Sequence, residues 1–165
     1  MAIAEALLPE FDHEISTTRR VLDRVPDDKL AWRPHPKSMS LADLATHVSE
    51  LLTWTEPTMT QPSIDVAGFA PPTAVASRAE LLRRFDQHAA AARSALAGRT
   101  DAEFMAMWSL KQGGQEVFSM PKAAVIRSFV MNHLIHHRAQ LAVYLRLLDV
   151  PVPSMYGPSA DERGM

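Results

Sequence analysis

Residues 121–148 read PKAAVIRSFVMNHLIHHRAQLAVYLRLL. Ile126, Val130, His133, His137, Leu141, Tyr144 and Leu148 follow one another at steps of three or four. That spacing predicts one inward face of a helix from about Pro121 to Leu148. Pro121 suits its first turn, where no backbone N–H is needed. Two imidazoles within an apolar stripe are costly unless their ring nitrogens find partners. On spacing alone both His133/His136 and His133/His137 could share one ion. The stripe favours His137, because His136 falls with Phe129, Asn132, Gln140 and Val143 on a mixed flanking line.

Three more helices are legible upstream. Ala4, Leu8, Phe11, Ile15, Thr18, Leu22 and Val25 predict a helix over Ile3 to Arg24, stopped by Pro26. Ser40 and Asp43 form a variant capping box at the start of a second. Its line is Leu41, Leu44, Val48 and Leu51, with His47 and Trp54 beside it, and Pro57 is expected to end it. Ser77 and Glu80 cap a third, to about Ala97, whose face is Leu81, Phe85, His88 or Ala89, Ala92 and Leu96. Residues 26–39 and 57–76 read as irregular crossovers. Within 107–119 two short alternating runs flank Gln112-Gly113-Gly114-Gln115, a hairpin signal. Four amphipathic helices with one stripe each predict a single all-α domain over 1–165, a four-helix bundle with a short hairpin-like insertion between helices three and four. The long loops permit parallel neighbours.

Composition narrows the chemistry. The chain has 165 residues, 47% hydrophobic and 22% charged, enough for a core without staples. It has no Cys, so disulfides, thiolate nucleophiles and Cys-based metal sites are excluded. Seventeen basic and 19 acidic side chains give a net charge of −2, which offers no field for nucleic acid or anionic lipid. No apolar run reaches the roughly 20 residues that span a bilayer. The N-terminus lacks a basic n-region, so the cytoplasm is the expected compartment.

If the second and fourth helices are neighbours, His47 joins His133 and His137, and three neutral imidazoles converge on one divalent cation. Three His plus an open position suits a catalytic site more than a closed structural one. Zinc, nickel and ferrous iron all accept imidazole, so the ligands do not choose the metal. A lone inward His is more often a hydrogen-bonded core residue than a ligand, and spacing does not decide between the two. Trp54, His88 and Tyr144 are the candidate substrate-pocket residues. Asp43 and Glu50, one turn either side of His47, could support a ligand or simply be solvated. Arg138 reads most simply as an exposed helix residue. Phe129, Ile135 and Val143 widen the apolar surface of the last helix beyond one stripe, which predicts a two-fold homodimer.

Trp32-Arg33-Pro34-His35-Pro36-Lys37-Ser38-Met39-Ser40-Leu41 with Leu44-Ala45-Thr46-His47 resembles the entry to the second helix of DinB/YfiT-like proteins. His133 through Leu141 resembles their other signature, and the tail from Val150 to Ser159 also fits. The resemblance implies an up-down-down-up bundle, often dimeric, with a metal held by three His. Carried over position by position, those are His47, His133 and His137. It also implies chemistry with low-molecular-weight thiols, as in mycothiol-dependent isomerases and bacillithiol transferases. The expected function is therefore a metal-dependent thiol S-transferase or hydrolase acting on a small molecule. The alternatives are a non-enzymatic metal-binding stress protein and a bundle that has lost its function.

Overall fold

The computed structural model describes residues 2–163. Helix α1 spans Ile3–Leu22. Helix α2 spans Leu41–Glu50, and the Ser40–Asp43 capping box starts it: the Ser40 hydroxyl accepts from the Asp43 N–H, and the Asp43 carboxylate accepts from the Ser40 N–H. A 3₁₀ turn, Leu51–Trp54, leads into α3, Thr55–Thr60. Pro57 therefore does not end the helix. It lies in the first turn of α3, where a missing N–H costs nothing. After strand β1, Ser63–Asp65, come α4, Arg78–Leu96, and α5, Asp101–Met105. Strands β2, Met107–Gln112, and β3, Gln115–Pro121, precede α6, Lys122–Val125. A π-helical stretch, Ile126–Asn132, then runs into α7, His133–Leu147.

The chain is not an all-α four-helix bundle. A three-stranded mixed sheet of order β1-β2-β3 stands beside the helices. The β2–β3 hairpin turns at Gly113 and Gly114, both at positive φ (60° and 79°), which suits a two-residue turn. Strand β1 comes from the segment expected to be irregular and pairs in parallel with β2, Ser63 opposite Ser109. It has only three residues, too few for alternation to stand out. Asp65, at its end, accepts from the Gly113 and Gly114 N–H groups at 2.9 and 2.7 Å and so ties β1 to the hairpin turn.

Ion pairs and hydrogen bonds fix how the helices run. Arg19–Asp86 and Asp12–Arg93, each 2.8 Å, set α1 antiparallel to α4. Glu10–Arg127 and Glu14–Arg138 set α1 parallel to the last helix. Helix α2 runs against α7 in the opposite sense, with Met39 near Tyr144 and His47 near His133. The shared core includes Phe11, Leu44, Val48, Phe85, Ile126 and Leu141, all at most 2% exposed.

The last helix buries two faces. Beyond Val125, Ile126, Val130 and Met131, its most buried positions are Leu134, Arg138, Leu141 and Leu145. The wider π turn explains this: more residues per turn rotate everything after Asn132 relative to a uniform α-helix. That rotation carries Arg138 under α1, against the exposed position read from sequence. Its side chain is 1% exposed and pairs with Glu14 at 2.6 Å. Tyr156, in the tail, donates to Glu14 at 2.8 Å and lies 2.6 Å from Arg138.

Candidate metal centre

His47 projects from the middle of α2, and His133 and His137 from the first two turns of α7. All three are half-buried. Their Nε2 atoms face one another: His137 to His133 is 2.9 Å and His47 to His133 is 3.5 Å. All three ligand atoms lie within 4.8 Å of one another, so the group could hold a metal ion. Imidazoles bound at about 2.0–2.1 Å around a tetrahedral ion have donor atoms about 3.3 Å apart, so the spacing fits a single ion.

The outer ring nitrogens are partly engaged. His137 Nδ1 donates to Gln140 Oε1 at 2.7 Å. A backbone hydrogen bond to Phe129, in the π stretch, supports the His133 ring. Such contacts hold a ring at one orientation and leave the other nitrogen free to ligate. His136 is exposed and accepts from the Gln140 amide at 3.1 Å, so it turns away from the cluster. Asp43 is used in the helix cap, and Glu50 faces Arg84 at 3.9 Å.

The electrostatics favour neutral rings. Burial, with the charges of His137 and His133 adding to it, pushes His47 down to about 4. Burial also lowers His133 and His137, opposed in each case by the hydrogen bond just described. Near pH 7 the cluster presents lone pairs rather than protons, which is the state a cation requires.

Two cavities flank the triad. One, about 450 Å³, is lined by Ser38, Met39, His137, Gln140 and Tyr144 among others. The other, about 250 Å³, lies between His47, His133 and the hairpin. Trp54 lines this second cavity, whereas Tyr144 lines the first and donates to the Met39 carbonyl at 3.3 Å. His88 lines neither. Its Nδ1 is 3.1 Å from the Ser49 carbonyl, between α2 and α4. Sequence reasoning missed Trp108, Leu110 and Phe118 as cavity walls. Trp108 and Leu110 alternate along β2, and Phe118 is the cross-strand partner of Leu110. The alternation was visible, but what it packs against was not.

The sequence matches the DinB family over residues 2–164. The chain belongs to the DinB family. Among solved structures, a DinB-like protein from Bacillus cereus ATCC 10987 superposes with a TM-score of 0.72 at 20% identity, covering 94% of this chain and 98% of that one. The DinB-like protein YjoA from Bacillus subtilis gives 0.68 at 16% identity, covering 96% and 99%. At these identities the likeness is one of fold. No curated protein sequence matches the chain. Among the described residues, no helix is long and apolar enough to cross a membrane.

Proposed function

We propose that this DinB-family protein is a metal-dependent enzyme of the thiol S-transferase or hydrolase type, acting on a small molecule in the cytoplasm, with His47, His133 and His137 as ligands to zinc or nickel, iron being the third candidate. The carrying observation is the convergence of three Nε2 atoms from two helices, on rings kept neutral by burial, between two cavities. A divalent ion there would act as a Lewis acid and lower the pKa of a bound thiol or water toward neutrality. The chain's own residues would do the rest. Gln140 and the Phe129 backbone hold the two rings of α7, Trp54 stands at the inner cavity, and Tyr144 stands at the outer one. His88 stands outside both cavities, against Ser49 on α2, so the pocket wall is assigned to Trp54 and Tyr144.

A metal-binding protein with no reaction to perform needs no cavity on either side of the ion, so the two cavities favour the enzymatic reading over the stress-protein one. The test is elemental analysis of untagged protein. His47→Ala, His133→Ala and His137→Ala should each lose most of the bound metal, and His136→Ala should keep it. Equal loss in all four, or loss only in His136→Ala, would overturn the ligand assignment. We also propose a two-fold homodimer: of the three residues expected to carry it, Val143 is 58% exposed on α7, as is the neighbouring Leu147, whereas Phe129 forms a wall of the inner cavity and Ile135 is half-buried.

A further inference from the structure

The inner cavity has an unusual lining for a site next to three imidazoles. Its walls are Leu51 and Trp54 from the α2 side, Trp108, Leu110 and Phe118 from the hairpin, and Phe129 from the π stretch, with Val125 also present. Among the described residues, His47 and His133 supply its only titratable groups. Among the described residues, no Asp, Glu, Lys or Arg lines either this cavity or the outer one. A charged group entering the inner cavity would lose its hydration and find no counter-charge on the chain. A flat apolar group would meet aromatic faces: Phe118 stacks on Phe129 at 4.8 Å, and Trp108 lies 6.2 Å from Phe118. An apolar cavity of about 150 Å³ is already large enough to take benzene. At about 250 Å³ this one has room for a ring carrying a substituent.

Trp108 is 1% exposed, and its indole nitrogen is buried as well. Trp108 therefore offers the cavity ring carbon rather than a donor, in keeping with the apolar character of the other walls.

We infer that the inner cavity is the specificity pocket for the neutral, apolar end of the substrate, an aromatic or similarly flat group that packs among Trp54, Trp108, Phe118 and Phe129. The inference deepens the proposed function, since it assigns the part of the substrate that sits beside His47 and His133. It requires only the cavity, so it can be tested without the metal.

The probes are benzyl alcohol, benzoate and benzylammonium, which share one ring and differ in charge. Binding to the full-length, chelator-treated protein would be followed by calorimetry and by the indole N–H resonances, with Trp108→Phe identifying the Trp108 signal. Benzyl alcohol should bind saturably, at least about tenfold tighter than either ion, a difference set by the uncompensated cost of burying charge. Its ring current should also shift the Trp108 N–H resonance, since Trp108 is one of the cavity walls. Leu110→Trp, which fills the cavity from a half-buried position, should abolish binding. Phe129→Ala, which removes an exposed edge of the wall, should weaken it and serves if Leu110→Trp does not fold. Equal binding of all three probes, an unmoved Trp108 resonance, or unchanged binding in a folded wall variant would overturn the inference. Absence of metal from purified protein would overturn the proposed function and leave this result standing. Failure of the probes to bind a metal-loaded protein would do the reverse.

Discussion

Replacing either member of the Glu14–Arg138 pair should destabilise the protein far more than replacing a surface ion pair. The two side chains are 6% and 1% exposed and meet at 2.6 Å. Arg138 also reaches the Thr18 hydroxyl at 3.2 Å and the Tyr156 hydroxyl at 2.6 Å, and its Nε has no partner. Removing one charge leaves the other buried and uncompensated, which costs about 3–5 kcal/mol. Glu14→Gln and Arg138→Met should each fall in that range. At about 2–4 °C per kcal/mol for a chain of this size, the melting temperature should drop by about 6–20 °C. The double variant Glu14→Leu/Arg138→Met removes both charges, so its loss should fall short of the sum of the single losses by about 2 kcal/mol or more. By contrast Arg19–Asp86, with both side chains nearly half exposed, should contribute no more than about 1 kcal/mol. Urea denaturation followed by circular dichroism would measure all of these, provided the transitions are two-state. A single-variant loss below about 1 kcal/mol would refute the burial argument. Additive losses in the double variant would show that the two charges are not coupled. The pair also matters to the site: Arg138 directly follows His137, so its burial under α1 fixes the rotation that turns His133 and His137 toward α2.

Three further outcomes follow from the geometry. His47, His133 and His137 have folded-state pKa values below the ordinary 6.5, so between that value and about 4, the folded value of His47, the unfolded chain binds more protons. Stability of metal-free protein should therefore be greatest above pH 6.5 and fall as pH drops toward 4; in metal-loaded protein a chelator should lower the melting temperature at pH 8 and do little near pH 5. A chelator without effect at pH 8, in protein shown to hold metal, would mean that the ion does not join α2 to α7. Gly114→Ala meets no atom within 4 Å but must adopt φ +79°, so it should cost about 1–2 kcal/mol through the backbone alone, and an unchanged melting temperature would refute that reading. Light scattering should give the mass of a dimer, and a monomer mass at working concentration would remove the role proposed for Val143 and Leu147.

The local signals in this chain were strong because they depend on neighbours in sequence. Ser40 with Asp43, Ser77 with Glu80, and Gly113-Gly114 each satisfy backbone groups within a few residues, so caps and turn could be read directly. The pairing of His133 with His137 was legible for the same reason, since four residues make one helical turn. His47 was different. It lies 86 residues from His133 in sequence, and only the packing of α2 against α7 brings their Nε2 atoms to 3.5 Å. Spacing could not supply that contact; it became a specific expectation through the family resemblance. Other features depended wholly on tertiary structure. Strand β1 exists because β2 offers an edge to pair with, and three residues carry no periodic signature of their own. Arg138 is buried because the π stretch alters the helical phase and because Glu14, 124 residues earlier, supplies its charge partner. The inner cavity needs α2, the hairpin and the π stretch at once, so no segment taken alone reveals it. Hydrogen bonding along the chain is local and can be read from its residues, whereas burial and enclosure are properties of the assembled surfaces.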